Sequence, residues 1–405
     1  MDIDTMRRVD YWIGIPITFL LSILHAIGKL FGRRQALQPR KFMFIEISEM
    51  GSTILAYSSM SYIKKKYPGA QLYFLIFKKN RESIDMLKIV PPENVITISD
   101  KSFFAFTADT LKAVWRMRRE RLDVSFDLEL FSRFSTIMNY LSGAKTRVGF
   151  HNFTAEGLYR GSLQTHDVMY NAYYHMSQNF MALVKALEGP HEIPMLKMAI
   201  DKKDIKVPKI ISEQREKDAI MKRLQSLNPA ISKEKRIILL NPGASKLLPL
   251  REWPLHYYKE VAQKLVADKN TFVVVTGLKG DKEYAQAICS YAKNERCIDF
   301  TGMTYSLREL VDLYNISDML ITNDSGPAHF SALTNIRTIV FYGPETPALY
   351  GPLGNNYTAL YSNFACSPCV SAYNHRKSPC TNNRCLQVIT PETVLTLVKA
   401  HFARG

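Results

Sequence analysis

From residue 41 onward, short apolar runs alternate with amphipathic stretches, and Gly, Pro, Asn and Asp mark the turns between them. Lys41 to Ile47 (KFMFIEI) predicts a strand, followed by a turn at Gly51 and a helical stretch to Lys66. After Pro68-Gly69, Gln71 to Phe77 (QLYFLIF) is a second strand and Asn94 to Ile98 a third. A helix through Ala105–Arg119 and a fourth strand from Asp123 to Leu128 continue the series. Unbroken apolar strands alternating with helices predict a parallel sheet covered on both faces. Residues 201–235 are charged and punctuated by proline, as in a linker that carries one helix. The alternation then restarts, with strands at Arg236–Leu240, Thr271–Thr276, Met319–Thr322 and Thr338–Tyr342. Helices are predicted between them at Leu255–Ala267, Asp281–Lys293, Leu307–Tyr314 and Gly326–Leu333. The expected fold class is α/β. It has two Rossmann-like domains, residues 41–200 and 236–390, facing a central cleft, and a closing helix over 391–405.

The first forty residues follow a different pattern. Tyr11 to Phe31 is almost wholly apolar and is flanked by Arg7, Arg8, Lys29, Arg33 and Arg34. Its length just reaches the ~20 residues that a membrane-spanning helix needs, and Pro16, His25 and Lys29 interrupt it. No small-x-small cleavage pattern follows, which argues against a secretory signal. Residues 1–40 are therefore read as a membrane-associating segment. Three forms of it stay open: a single span, a helix lying in the interface, and a helix packed on the protein itself.

The 405 residues suit two domains, and 46% hydrophobic with 22% charged residues is the balance of a globular chain with a sizeable core. The formal net charge of +16 changes the picture, because it favours an anionic partner. The basic residues are scattered, with runs at Lys64-Lys65-Lys66 and Arg116–Arg121, and are not interleaved with aromatics in a recognition segment. Nucleic acid is accordingly not expected as a partner; an anionic membrane surface or a phosphorylated substrate is.

Candidate chemistry concentrates in the second half. Thr322–His329 (TNDSGPAH) follows an apolar strand and opens a helix. Gly326 permits close backbone approach, Pro327 suits a first helical turn, and Asp324 or Ser325 is a candidate cap. Free N–H groups at such a helix start suit a diphosphate, and His329 follows one turn later. Asn241 to Ser245 (NPGAS) also follows a strand and precedes Lys246, Arg251 and Trp253-Pro254. Gly277 ends the next strand in a third turn. Small-residue turns and fixed cations at strand ends can take up the charge of a departing nucleotide diphosphate without a metal.

Together NPGAS…R-x-WP, the V-x-x-T-G turn and TNDSGPAHFSAL…TIVFYGPETP resemble glycosyltransferase family 9, the heptosyltransferases of lipopolysaccharide assembly. The resemblance implies a GT-B fold, an ADP-heptose-type donor, inversion at the anomeric carbon and no required metal. By motif, it implies that Ser245 and Arg251 contact the donor phosphates, with Lys246 beside them. It further implies that Asp324, Ser325, Gly326 and His329 serve the diphosphate and sugar, and that Tyr305 lies against the adenine. A lipid-linked phosphorylated glycan is the implied acceptor, at the cytoplasmic face of the bacterial inner membrane.

In that family the first strand-to-helix turn reads Gly-Asp, and the aspartate is the presumed general base. Here the turn is Ser48-Glu49-Met50-Gly51-Ser52, with Ser52 at the aspartate's position. A serine cannot take the acceptor proton unaided, so Glu49 is the candidate base, ahead of Glu46 within the strand. Cys366, Cys369, Cys380 and Cys385 have the spacing C-x2-C-x10-C-x4-C. That spacing can close a structural zinc site, but reduced thiols are the favoured reading. His375 and Arg376 in the same loop are candidates for touching substrate. Two other functions compete with transfer: a nucleotide-sugar epimerase, and a non-catalytic nucleotide-sugar-binding protein, the latter motivated by Ser52.

Overall fold

A computed structural model describes residues 3–31, 38–151, 158–188, 195–244, 248–374 and 376–403. The chain divides into two compact units. The first takes Met1–Lys206 and a short return, Ser371–Arg376; the second takes Val207–Val370 and Lys377–Gly405. The stretch expected as a linker is thus split at Lys206/Val207.

The first unit opens with two consecutive helices, α1 (Ile3–Trp12) and α2 (Gly14–Phe31). Its sheet holds β1 (Lys41–Ile45), β2 (Gln71–Phe77), β3 (Val95–Ile98), β4 (Val124–Asp127), β5 (Thr146–His151) and β6 (His166–Met169). Helices α3 (Met50–Leu55), α4 (Tyr57–Lys66), α5 (Glu82–Asp85), α6 (Phe103–Glu120), α7 (Arg133–Leu141) and α8 (Met176–Lys185) connect and cover them. All strands run parallel in the order β3-β2-β1-β4-β5-β6. Phe42 to Ile45 are all buried, the signature of a strand covered on both faces, and Phe44 stacks on Phe126 of the neighbouring strand at 4.9 Å.

The second unit begins with α9 (Gln214–Leu227), the helix foreseen in the linker stretch, which packs on a later helix of the same unit. Its strands are β7 (Arg236–Asn241), β8 (Thr271–Val275), β9 (Cys297–Asp299), β10 (Met319–Asn323), β11 (Arg337–Tyr342) and β12 (Tyr357–Tyr361). They too are parallel, in the order β12-β11-β10-β7-β8-β9. The helices are α10 (Leu255–Leu265), α11 (Lys282–Ala292), α12 (Leu307–Asn315), α13 (Gly326–Ser331), α14 (Pro347–Tyr350), α15 (Arg384–Gln387) and α16 (Pro391–Phe402). The closing helix packs Val394, Leu395 and Val398 into the same core as Trp253, Tyr258 and Phe341.

Each sheet has the same order when its strands are counted from its own start: 3-2-1-4-5-6. The strand order reverses between the first and fourth strands of each, and that crevice at the carboxyl ends is where open α/β sheets bind ligands. The pattern along the chain predicted this architecture but missed β5, β6, β9 and β12. β6 and β9 are short, β12 is half-buried throughout, and β5 (TRVGFH) is buried but interrupts its two large apolar side chains with Arg147 and Gly149, so none carries a long apolar run.

Candidate functional site

In the first unit, the crevice between β1 and β4 is lined by carboxylates. Glu46 and Glu49 follow β1; Asp127 ends β4 and Glu129 follows it. Glu49 is the residue before α3, and its side chain makes no cap to that helix. Instead Oε2 accepts the hydroxyl of Ser52 at 2.9 Å, and Oε1 pairs with the guanidinium of Arg376. Arg376 belongs to the short return segment and also lies over the Phe131 ring, 4.6 Å from its centroid. The structure therefore brings together the two catalytic candidates read from the sequence.

Glu129 was not among those candidates. Its Oε1 accepts from the backbone N–H of Ile47 (2.9 Å) and Ser48 (2.8 Å) and from the Ser48 hydroxyl (2.9 Å), so it fixes the turn that carries Glu49. Burial pushes its carboxyl up to about 7, with Asp127 and Glu49 pushing the same way and the Ser48 donors opposing. Burial also holds Glu46 well above the usual carboxylate range, helped by Glu129 and Glu49. Asp127, fully buried, is raised by burial although it pairs with Arg160 and accepts from Thr136 at 2.7 Å. The signal in the sequence was Asp127-Leu128-Glu129, two carboxylates at the end of the strand that neighbours β1.

In the second unit, the equivalent crevice lies between β7 and β10. Asn323 at the end of β10 ties the segments together. Its Oδ1 accepts from Trp253 N–H at 2.9 Å and its Nδ2 donates to Pro242 O at 2.7 Å. Trp253 is buried, stacks on Phe341 at 4.3 Å and donates its ring N–H to Ile389 O at 2.8 Å. This anchor holds the preceding Arg251, whose Nε lies 3.6 Å from Asp324 Oδ2 and whose Nη1 donates to the Asp324 carbonyl at 3.3 Å. Arg251 and Asp324 thus form one unit, and Asn323 is a positioning residue that motif reading passed over.

Asp324 and Ser325 do not cap α13 as expected. Ser325 is its N-cap residue, but its hydroxyl donates backward to Asn323 O at 3.2 Å and makes no cap bond. The helix is six residues long, shorter than predicted, with Gly326 and Pro327 in its first turn and His329 buried within it. At the third turn, a Cβ on Gly277 would meet Asp281 Cβ and Oδ2 at 2.8 Å, so only glycine fits there. Tyr305 is largely exposed; Arg223 covers one face of its ring at 4.3 Å and is held by Glu309 at 2.8 Å. Ser245 and Lys246 lie outside the described residues, as does His375.

Among the described residues, the cysteines at 366, 369, 380 and 385 form no disulfide. Cys385 is buried against Gly343, while Cys366 is exposed. Among the described residues, no group of three or more His, Cys, Asp or Glu side chains is placed to hold a metal.

A sequence profile described as "Glycosyltransferase family 9 (heptosyltransferase)" matches residues 112–378, well over half of the chain. The chain belongs to glycosyltransferase family 9. Among family relatives, it is 29% identical over 181 residues to lipooligosaccharide heptosyltransferase 2 of Campylobacter jejuni, covering 44% of this chain and 55% of that protein. The chain thus spans about half the length of that curated relative. Over most of its length it shares the fold of the Escherichia coli ADP-heptose LPS heptosyltransferase II structure. The TM-score is 0.67 at 22% identity, over 89% of this chain and 98% of that one. It superposes likewise on a glycosyltransferase family 9 structure from Veillonella parvula, with a TM-score of 0.71 at 17% identity over 91% and 99%. The GT-B expectation is met by these folds and by the paired six-stranded sheets.

Proposed function

We propose that this protein transfers a sugar, heptose from an ADP-heptose-type donor, with inversion onto a lipid-linked phosphorylated glycan of the lipopolysaccharide-core kind. The observation that carries the reading is the Arg251–Asp324 pair at the β7/β10 crevice, within the span that matches the family profile. The cation and the backbone N–H groups of the α13 start answer the negative charge that builds on the diphosphate as its bond to the anomeric carbon breaks. Asp324 keeps Arg251 oriented and can accept from sugar hydroxyls. Tyr305 offers its open face to the nucleobase, the other being occupied by Arg223. The acceptor hydroxyl attacks the anomeric carbon from the opposite side and loses its proton to Glu49, which Ser52 and Arg376 hold in place. The work would be done at the cytoplasmic face of the inner membrane, where a lipid-linked acceptor is presented.

Calorimetric titration of ADP, ADP-heptose and UDP into the full chain tests this, alongside His329→Ala and Asp324→Ala. Adenine-nucleotide binding lost in both variants supports the donor site; preference for a uridine nucleotide overturns the heptose assignment. Ser52 at the family's aspartate position favours a second reading, a nucleotide-sugar-binding protein without turnover. Release of ADP that depends on a glycolipid acceptor would exclude it.

A further inference from the structure

The N-terminal helices are fastened to the first unit along one stripe. Asp10 Oδ1 accepts from the N–H groups of Arg133 and Phe134 at the start of α7, both at 2.9 Å, and Oδ2 pairs with Arg133 Nη1 at 3.1 Å. One turn on, a Cβ at Gly14 would touch Arg133 at 3.0 Å. Thr18 and Ser22 lie against Gly161, where a Cβ would come within 2.9 Å of Thr18 O and 2.5 Å of Ser22 Oγ. Ser162 N–H donates to Ser22 Oγ at 2.8 Å. His25 reaches Arg147 at 3.3 Å and meets the edge of Tyr140 at 5.6 Å. Positions 10, 14, 18, 22 and 25 recur every three or four residues, so one face of the helix is committed from end to end.

The opposite face is apolar and open: Trp12, Phe19, Leu20, Ile23, Leu24 and Ile27 are all exposed. Met6 of α1, Phe106 and Val114 of α6 and Phe134 of α7 all pack against the same core cluster of the first unit, and Phe106 meets Phe134 at 4.9 Å. Helix α6 in turn exposes Phe104 (87%), Leu111 and Trp115 (63%) along one side. Lys112, Arg118 and Arg119 are exposed on the same helix, Arg119 lying 5.4 Å over the Trp115 ring, and Arg7 and Arg8 are exposed on α1.

By length and composition the segment Thr5–Gly28 could cross a bilayer. Crossing requires ~30 Å of the helix to be surrounded by hydrocarbon or by other spanning segments. Here the helix is bonded to a sheet domain near both ends, through Asp10 to buried Arg133 and through His25 to buried Arg147. Insertion would draw those charges into lipid or break the whole stripe. A half-committed helix with an open apolar face fits the plane of the interface. Exposed arginines and lysines beside exposed tryptophans match anionic headgroups over an acyl boundary.

We propose that α1, α2 and the outer side of α6 form one seating surface that lies in the plane of an anionic bilayer and does not cross it. The surface rests on the reading of a lipid-linked acceptor, and it is tested without donor or acceptor. The full chain is mixed with phosphatidylglycerol-containing vesicles, and with phosphatidylcholine vesicles alone, and floated on a density gradient. Trp12→Phe and Trp115→Phe each leave one of these tryptophans to report quenching by brominated lipid, with Trp253 buried.

The expected results are binding to anionic vesicles that weakens with salt, and shallow quenching of both Trp12 and Trp115. Phe104→Glu/Trp115→Glu should lower partitioning by at least about ten-fold while circular dichroism stays unchanged. Resistance to alkaline carbonate extraction would mean a span and overturn the proposal. So would equal binding to neutral vesicles, quenching of Trp12 alone, or a lipid-free dimer that Trp115→Glu dissociates. Nucleotide titration of the same samples keeps the two readings apart: loss of vesicle binding with ADP binding intact concerns this surface, and the reverse concerns the donor site.

Discussion

The hydroxyl of Ser52 donates to Oε2 of Glu49 at 2.9 Å, so the serine at the family's aspartate position is tied to a carboxylate three residues earlier. Glu49 directly precedes α3 and Ser52 lies in its first turn, so the two are one turn apart. Glu49→Gln is expected to lower turnover by ~10²- to 10⁴-fold with ADP affinity unchanged, the usual scale for a lost general base. Ser52→Ala, which removes one hydrogen bond to a charged group, should lower kcat by about ten-fold. The double variant Glu49→Gln/Ser52→Asp returns the carboxylate to the serine's position and should recover much of the loss. Steady-state kinetics with a glycolipid acceptor decide it; a Glu49→Gln enzyme of normal rate sinks the assignment.

Glu129 makes stability depend on pH. Its folded value, about 7, lies above the ordinary 4.5 because burial disfavours the anion. A carboxyl raised in this way favours the folded state fully below about 4.5, and that contribution is lost as pH climbs through about 7. Glu129→Gln keeps an oxygen for the Ile47 and Ser48 donors and carries no charge to bury. The variant should therefore gain on the wild type between pH 5 and pH 8, by about 2–3 kcal/mol. Thermal melts at the two pH values check it, and an equal melting difference at both would show that Glu129 does not titrate in that window.

How far the sequence reached depends on whether the feature is local. Both sheets were legible because parallel strands buried on two faces, such as Phe42–Ile45 and Phe272–Val275, write unbroken apolar runs. The donor-side turns were legible because glycine at 277 and the Trp253 anchor answer steric demands that few residues satisfy. Glu129 was not, since its importance arises only when β4 is placed beside β1, 82 residues away in the chain. Arg376 was noticed in its loop, but its pairing with Glu49 spans 327 residues and leaves no periodicity to read. The N-terminal segment shows the same limit. Composition gave its apolarity, whereas the stripe from Asp10 to His25 that commits one face depends on partners at 133, 147 and 161.

Tyr305 carries a prediction about affinity alone. Arg223 fills one face of its ring and leaves a flat, exposed surface on the other. Base stacking on an aromatic side chain is worth ~1–3 kcal/mol, so Tyr305→Ala should weaken ADP binding about ten-fold. Tyr305→Phe keeps the stacking face and should bind nearly as well as the wild type. Because the ring touches no reacting atom, kcat at saturating donor should hold in both. A fall in kcat without a change in donor affinity would remove Tyr305 from the nucleobase site.

Arg251 and Asp324 should separate binding from folding. Both side chains are largely buried, so Arg251→Ala removes one side of this ion pair as well as the charge offered to the diphosphate. Breaking a buried pair from one side costs ~3–5 kcal/mol, and this variant is expected to melt well below the wild type and to bind ADP at least about a hundred-fold more weakly. Arg251→Lys retains the charge but not the fork that reaches both the Asp324 carboxylate and its carbonyl. It should fold almost normally, with ADP affinity down about ten-fold. A fixed guanidinium in this role also means that EDTA leaves turnover unchanged, because no divalent ion is needed to balance the departing diphosphate. Turnover that falls with EDTA and returns with magnesium would show that Arg251 alone does not carry that charge.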